Sequence, residues 1–224
     1  NKIDVIQGSG KLISAGKVEV SDAKGEKQIV ETNNVIIATG ARSKELPNLK
    51  IDGKKVIGYR DAMVLTTQPK SMVVVGSGAI GSEFAYFYNA IGTQVTIVEF
   101  LPNILPVEDE EVSKQLERSF KKSGIKVMCN ASVEAVDSKE SGCKVTVKTH
   151  KGTETIKADI VLSAVGITAN LEGIGIEEVG IVTDKGKIIT NDYYQTNIPG
   201  IYAIGDCIGG QALAHVASAE GIIC

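Results

Sequence analysis

Apolar residues along this chain fall into two kinds of run. The first is short and unbroken. Met72, Val73, Val74 and Val75 stand in succession, residues 35–38 read Val-Ile-Ile-Ala, and residues 160–165 are nearly all apolar. β-Branched residues pack well on a pleated surface, and a run without alternation suits a parallel strand covered on both faces. The second kind recurs at helical spacing. Ile80, Phe84, Tyr88 and Ile91 mark one buried face, and Val112, Leu116 and Phe120 mark another. The first helix is expected from Ala79 to Gly92, a good terminator. The second is expected to open on Glu108, Asp109, Glu110 and Glu111, acids at its positive end. It closes on Lys121, Lys122 and Gly124.

Other segments follow the same logic. Ile3-Asp4-Val5-Ile6 and Lys17-Val18-Glu19-Val20 alternate, Lys24-Gly25 is a turn, and Gln28-Ile29-Val30-Glu31 returns, so residues 3–38 read as β. Residues 47–58 read as a loop and 59–65 as a short helix. Strands are predicted at 93–98 and 125–128. Beyond them, residues 133–136, 143–148 and 153–156 form three short strands turned at Ser141-Gly142 and Lys151-Gly152. That is an antiparallel meander in the place of a helical crossover. The strand at 159–166 is followed by a polar loop, a hairpin-like stretch through Ile188-Ile189-Thr190, and a strand at 201–206. Ala214, Ala217 and Gly221 then stand at helical spacing. The fold class is α/β: a Rossmann-like domain whose parallel sheet carries an antiparallel β-meander crossover, joined to part of a second domain.

The candidate chemistry sits where the valine run ends. Gly76, Ser77, Gly78, Ala79, Ile80, Gly81, Ser82 and Glu83 form a G-x-G-x-x-G turn between a strand and a helix. Gly76 suits the tight turn, Gly78 lets the backbone approach a pyrophosphate, and Gly81 lets the helix sit close to its strand. The helix N-terminus offers free amides and a partial positive charge to phosphate. Glu99 ends the next strand. A carboxylate there can accept from both hydroxyls of an adenine-linked ribose and repels a 2′-phosphate. No Arg or Lys stands in residues 100–107 to receive one, so the expectation is NAD(H) rather than NADP(H).

Composition narrows the classes. The 224 residues allow one large or two modest domains, with 43% hydrophobic and 23% charged residues, ordinary for a globular protein. A net charge of -3 gives no reason to expect nucleic acid or an anionic membrane as partner, and no apolar run approaches the ~20 residues of a membrane helix. The start, Asn1-Lys2-Ile3-Asp4, is polar and strand-like rather than signal-like. Cys129, Cys143, Cys207 and Cys224 form no C-x-x-C pair, and only two His accompany them, so no metal site is expected. Scattered thiols imply small packing residues in a reducing, cytoplasmic setting. The chain opens without Met in a strand-like segment and stops inside an apolar helix at Gly221-Ile222-Ile223-Cys224, as expected of a piece of a longer protein.

Four features stand in order: Ala38-Thr39-Gly40, the glycine fingerprint, Ala164-Val165-Gly166, and Tyr202-Ala203-Ile204-Gly205-Asp206. Together they resemble the flavoprotein disulfide reductases that bind two dinucleotides. Gln211-Ala212-Leu213-Ala214-His215, Ala219-Glu220-Gly221-Ile222 and Val98-Glu99-Phe100 are most similar to the dihydrolipoyl (lipoamide) dehydrogenases within the pyridine nucleotide-disulfide oxidoreductase family. The resemblance covers essentially the whole chain.

The resemblance implies a division into residues 1–40, part of an FAD-binding domain; 41–169, an NAD-binding domain; and 170–224, the remainder of the FAD/central domain. It implies NAD contacts from the fingerprint, Glu99, Val133 (adenine) and Gly166. It implies FAD contacts from Gly10, Thr39, Gly40, Ala41, Asp206, Ala212, Leu213, Ala214 and His215. Read as residues alone, Asp206 suits either a turn or a ligand at a strand end. Glu83 suits a helix-dipole acid, Val133 plain core, and His215 a satisfied buried histidine.

The implied activity is oxidation of dihydrolipoamide, carried on the acyltransferase of a 2-oxo acid dehydrogenase complex, through a disulfide and FAD to NAD. The implied full-length protein is a homodimer. An N-terminal flavin fingerprint, a C-x-x-x-x-C pair and a C-terminal His-Glu pair are not in this sequence, so no catalytic residue is expected here. Val165-Gly166-Ile167-Thr168-Ala169-Asn170 also departs from the family, many of whose members carry Arg shortly after that glycine. A mercuric reductase, an NADH oxidase, a soluble transhydrogenase or a non-catalytic NAD-binding module shares the same middle.

Overall fold

The computed structural model describes residues 2–224, which form two compact units: the described residues up to Arg42 with Thr168–Cys224, and Ser43–Ile167. The first unit opens with β1 (Ser9–Ser14), β2 (Lys17–Ser21) and β3 (Lys27–Glu31), an antiparallel sheet in that order. Residues 3–6 form no regular element, contrary to the expected strand. Ile3 and Val5 are three-quarters exposed, so their alternation has no sheet face to serve. Asn1 lies outside the described residues. β4 (Val35–Ile37) follows, and β5 (Ala41–Ser43) leads into the second unit.

The second unit holds β6 (Val56–Ile57), α1 (Tyr59–Met63), β7 (Ser71–Val75), α2 (Ala79–Ala90), β8 (Gln94–Val98), α3 (Glu110–Lys122), β9 (Lys126–Met128), β10 (Ser132–Lys139), β11 (Gly142–Thr149), β12 (Gly152–Ala158) and β13 (Ile160–Ser163). β6, inside the expected loop, is too short to leave a periodic signal. Five strands form one parallel sheet in the order β6-β13-β7-β8-β9. Their valines divide by parity. Met72, Val74, Ile97 and Leu162 face a core closed by Ala85, Tyr88 and Phe120 of the helices. Val73, Val75, Val98 and Val161 face a second core closed by Cys143, Val145 and Val147 of the antiparallel β10-β11-β12 meander. With both faces covered, a strand gains by being apolar at every position.

The helices depart from their expected faces in two places. Ile91 and Val112 are about half exposed. The buried face of α2 is built on Gly81, Ser82, Ala85 and Tyr88, with Ile80 and Phe84 at its flank. Small residues let the helix axis approach the sheet, and bulky ones then fall to the sides. Helix ends follow chemistry. Gly92 and Gly124 take φ of +100° and +89° just past α2 and α3. Asp109 caps α3, its carboxylate accepting from the Glu111 and Val112 amides. Asp109→Ala is expected to cost about 1 kcal/mol, readable as a lower urea midpoint with unchanged slope.

β14 (Ile167–Ala169) returns the chain to the first unit, which adds α4 (Ile176–Val179), the hairpin β15 (Thr183–Asp184) and β16 (Lys187–Ile188), β17 (Ile201–Ala203) and α5 (Ala214–Ile223). β17 pairs in parallel with β4, and Leu12, Ile37, Ile176, Ile188, Ile201, Ala203 and Cys207 make this unit's core.

Candidate functional site

The carboxyl ends of β7, β8 and β13 lie on one edge of the parallel sheet, where open α/β sheets receive ligands. Gly76 leaves β7 at φ +93°, a conformation that disfavours side chains. A Cβ there would stand 2.4 Å from the Ala164 carbonyl oxygen, and one on Gly81 would stand 2.1 Å from the Gly76 carbonyl oxygen. Those two glycines are required by the protein's own backbone. Gly78 differs: nothing lies within 4 Å of the position its Cβ would take. It is the N-cap of α2, and no side chain caps that terminus. Among the described residues the first-turn amides thus have no side-chain cap and stand beside open space, which fits a pyrophosphate. Glu83 projects from the exposed side of α2.

Glu99 is 6% exposed, and three donors meet its carboxylate. Oε2 accepts the Ser77 amide at 2.8 Å and the Ser77 hydroxyl at 2.6 Å, and Oε1 accepts the Leu101 amide at 2.8 Å. A carboxylate offers about four acceptor positions, so one remains, on Oε1. Ser77 itself is fully buried. Its carbonyl accepts the Leu105 amide at 3.0 Å and the Ser82 hydroxyl at 2.9 Å. The serines of the fingerprint thus spend their side chains inside the turn. Leu105 takes a left-handed φ of +46°, and its carbonyl accepts the Ser113 hydroxyl of α3. Through Leu105, residues 100–107 are tied both to the glycine turn and to α3. Neither tie shows in spacing or composition; both arise from the fold.

The remaining residues named for the nicotinamide nucleotide gather around this edge. The Ala131 amide donates to the Glu99 carbonyl at 2.9 Å, which brings the start of β10, and with it half-buried Val133, beside β8. Val133 packs against the meander core, and its carbonyl accepts from Asn48. Gly166 lies two residues past Ala164, the neighbour of Gly76, at φ +113° with open space around its Cβ position. Ser163, at the end of β13, is 1% exposed, and its hydroxyl has no partner among the described residues. Sequence reasoning passed over it as one residue of an apolar strand.

In the other unit, Thr39 and Gly40 follow β4, and Gly205 and Asp206 follow β17. The pairing of Ile37 with Ala203 sets them side by side. Gly40 and Gly205 have positive φ, and the Gly205 amide donates to the buried Glu220 carboxylate at 2.6 Å. Ala41 is buried, whereas Ala212, Leu213, Ala214 and His215 are exposed at the start of α5. His215 is therefore no buried histidine, since α5 buries only Glu220. Gly10 lies apart in β1, paired with Val20. These strand ends and the exposed start of α5 fit a share of a flavin nucleotide site.

Three of the thiols are packing residues, Cys207 directly behind the strand ends that carry Thr39, Gly40 and Asp206. Cys129, Cys143 and Cys207 pack in or against the three cores. Burial, with help from Glu117 and Glu99, pushes the Cys129 thiol up to about 11, and burial also raises Cys143 and Cys207. Protonated and enclosed, they are poor nucleophiles.

Comparison with known proteins agrees with this geometry. A family model described as pyridine nucleotide-disulphide oxidoreductase matches residues 1–221. The dihydrolipoyl dehydrogenase of Chlorobaculum tepidum is 44% identical over 222 residues, 99% of this chain and 47% of that protein. The leghemoglobin reductase of Glycine max is 40% identical over 227 residues, all of this chain and 43% of that protein. The crystal structure of LpdA from Mycobacterium tuberculosis superposes with a TM-score of 0.87 at 34% identity, over 98% of this chain and 49% of that one. The chain spans about half the length of the curated relatives it matches. Among the described residues no helix is long and apolar enough to cross a membrane.

Proposed function

Because the chain belongs to the pyridine nucleotide-disulphide oxidoreductase family, we propose that its unit Ser43–Ile167 binds NAD(H) within a dihydrolipoyl dehydrogenase. Members of the family use FAD and NAD(P). The observation that carries the proposal is the uncapped α2 N-terminus at Gly78 beside the buried Glu99. First-turn amides hold the pyrophosphate, and the open acceptor position of Glu99 receives an adenosine-ribose hydroxyl. The carboxylate opposes a 2′-phosphate, and residues 100–107 supply no cation to offset that. Val133 and Gly166 border the adenine and nicotinamide ends.

Thr39, Gly40, Asp206 and the segment Ala212 to His215 contribute to the FAD site of the whole protein. When bound, the flavin relays electrons between a dithiol and the nicotinamide. The whole protein oxidises dihydrolipoamide borne by the acyltransferase of a 2-oxo acid dehydrogenase complex, acts as a homodimer and works in the cytoplasm. The four cysteines here, at positions 129, 143, 207 and 224, do not provide the closely spaced pair that the chemistry needs. This chain by itself therefore binds nucleotide without turning over dihydrolipoamide.

Calorimetry of the purified chain tests the reading. NADH is expected to bind at least tenfold more tightly than NADPH, with no lipoamide turnover and little retained flavin. Absence of NADH binding, or equal affinity for the two, removes the NAD proposal. Stoichiometric flavin with turnover removes the claim that the chain alone is inactive.

A further inference from the structure

Ser77 carries a hydroxyl that the fold has not left idle. Its Oγ stands 2.6 Å from Glu99 Oε2, in a position with no solvent access, and Glu99 itself is nearly enclosed. A buried hydroxyl bound to a buried carboxylate narrows the rotamers open to both. The rest of Ser77 is secured independently. Its carbonyl is held by the Leu105 amide and the Ser82 hydroxyl, and its amide by Glu99; Gly76 before it donates to the Val98 carbonyl at 2.9 Å. The path of the turn therefore does not depend on the hydroxyl, whereas the Glu99 carboxylate takes one of its three hydrogen bonds from it. With Oε2 filled by Ser77 twice over, Oε1 is the oxygen left with a vacant acceptor position.

We propose that Ser77 is a positioning residue for nucleotide specificity: its hydroxyl fixes the Glu99 carboxylate so that Oε1 meets the adenosine ribose, and it thereby sets the preference for an unphosphorylated 2′-hydroxyl. The inference rests on the NAD(H) reading above. Without the hydroxyl, one acceptor position of Oε2 is vacated and the carboxylate keeps only the Ser77 and Leu101 amides, which hold it less tightly. It then meets a ribose hydroxyl less often and yields more readily to a 2′-phosphate. The pyrophosphate, held by backbone amides, is unaffected. A merely structural role for Ser77 makes a different prediction, because damage to the turn weakens every pyrophosphate-bearing ligand alike.

The test is calorimetry of NADH and NADPH against the full 224-residue chain and its variants, each first shown to be folded by circular dichroism. For Ser77→Ala the NADH affinity is expected to fall roughly fivefold to tenfold, at the upper end of what one net hydrogen bond contributes. NADPH affinity is expected to stay level or rise, so that the preference ratio collapses. Ser77→Gly, which also lacks the hydroxyl and suits a glycine turn, is expected to do the same and guards against a folding defect in the alanine variant. A double-mutant cycle tests the route: in a Glu99→Gln background, Ser77→Ala is expected to change the NADH-to-NADPH preference less than about twofold, because the glutamine keeps the Ser77 contact but lacks the charge through which Ser77 sets the preference. Parallel losses for both nucleotides, an unchanged ratio, or a full effect that persists in the Glu99→Gln background would each overturn the assignment. Failure of the unsubstituted chain to bind NADH is a separate outcome and removes the NAD(H) reading itself.

Discussion

Gly81→Ala and Gly76→Ala are each expected to destabilise the second unit by about 3 kcal/mol or more, while Gly78→Ala leaves stability within about 0.5 kcal/mol. The three glycines share one motif but answer to different neighbours. At Gly81 a methyl group must be placed 2.1 Å from the Gly76 oxygen, well inside any real contact, and that atom belongs to backbone anchored in β7. At Gly76 the methyl meets the Ala164 oxygen at 2.4 Å, and φ of +93° adds its own strain. At Gly78 the backbone lies at φ −63° with nothing within 4 Å, so alanine fits the protein. What it does not fit is a ligand pressed against the turn. Gly78→Ala is accordingly expected to keep its urea midpoint and lose at least tenfold in NADH affinity. The other two are expected to shift the midpoint before binding can be measured. A Gly78→Ala variant that unfolds like its neighbours, or binds NADH like the parent, contradicts this division of labour.

The same contrast shows what a sequence displays and what it withholds. Three consecutive valines announced a strand covered on both faces because burial on two sides removes the need for polar residues at every second position. Glycines at 92 and 124 marked helix ends because few other residues take positive φ cheaply. Local rules carry such features, and they were legible. The alternation of Ile3, Val5 and Ile6 obeyed the same rule without a partner strand, and no rule of periodicity detects that. Bulky Ile91 and Val112 looked like core at helical spacing, yet Gly81 and Ala85 form the true contact of α2, since close approach selects small residues and a hydrophobicity pattern overlooks them. At the site, the glycines and Glu99 stood out because their types are demanded by backbone shape and charge. The Ser77 hydroxyl, the Leu105 tether and the unpaired Ser163 hydroxyl did not. Each depends on which atoms the fold brings within 3 Å, and serine or leucine at those positions is unremarkable by itself.

That hidden network changes what substitution of Glu99 can prove. Glu99→Arg is expected to cost about 3–5 kcal/mol of stability, comparable to leaving one member of a buried charge network without its partner. The Ser77 amide, the Ser77 hydroxyl and the Leu101 amide all lose their acceptor at once, and a guanidinium has no acceptor to offer in return. The cation also faces the positive ends of those same donors in a site only 6% exposed. Loss of NADH binding in that variant reports on the turn as much as on the ribose. Glu99→Gln separates the two. Its carbonyl oxygen can still accept both Ser77 donors, and its amide nitrogen leaves only the Leu101 amide without a partner, a cost of about 1–3 kcal/mol. The glutamine variant is expected to remain folded at 25 °C, to lose about tenfold in NADH affinity, and to lose much of its discrimination against NADPH, because the charge that repels a 2′-phosphate is gone. If thermal unfolding shows the arginine variant as stable as the glutamine one, the three-donor network is not holding the turn. If the glutamine variant discriminates as well as the parent, the specificity lies somewhere other than Glu99.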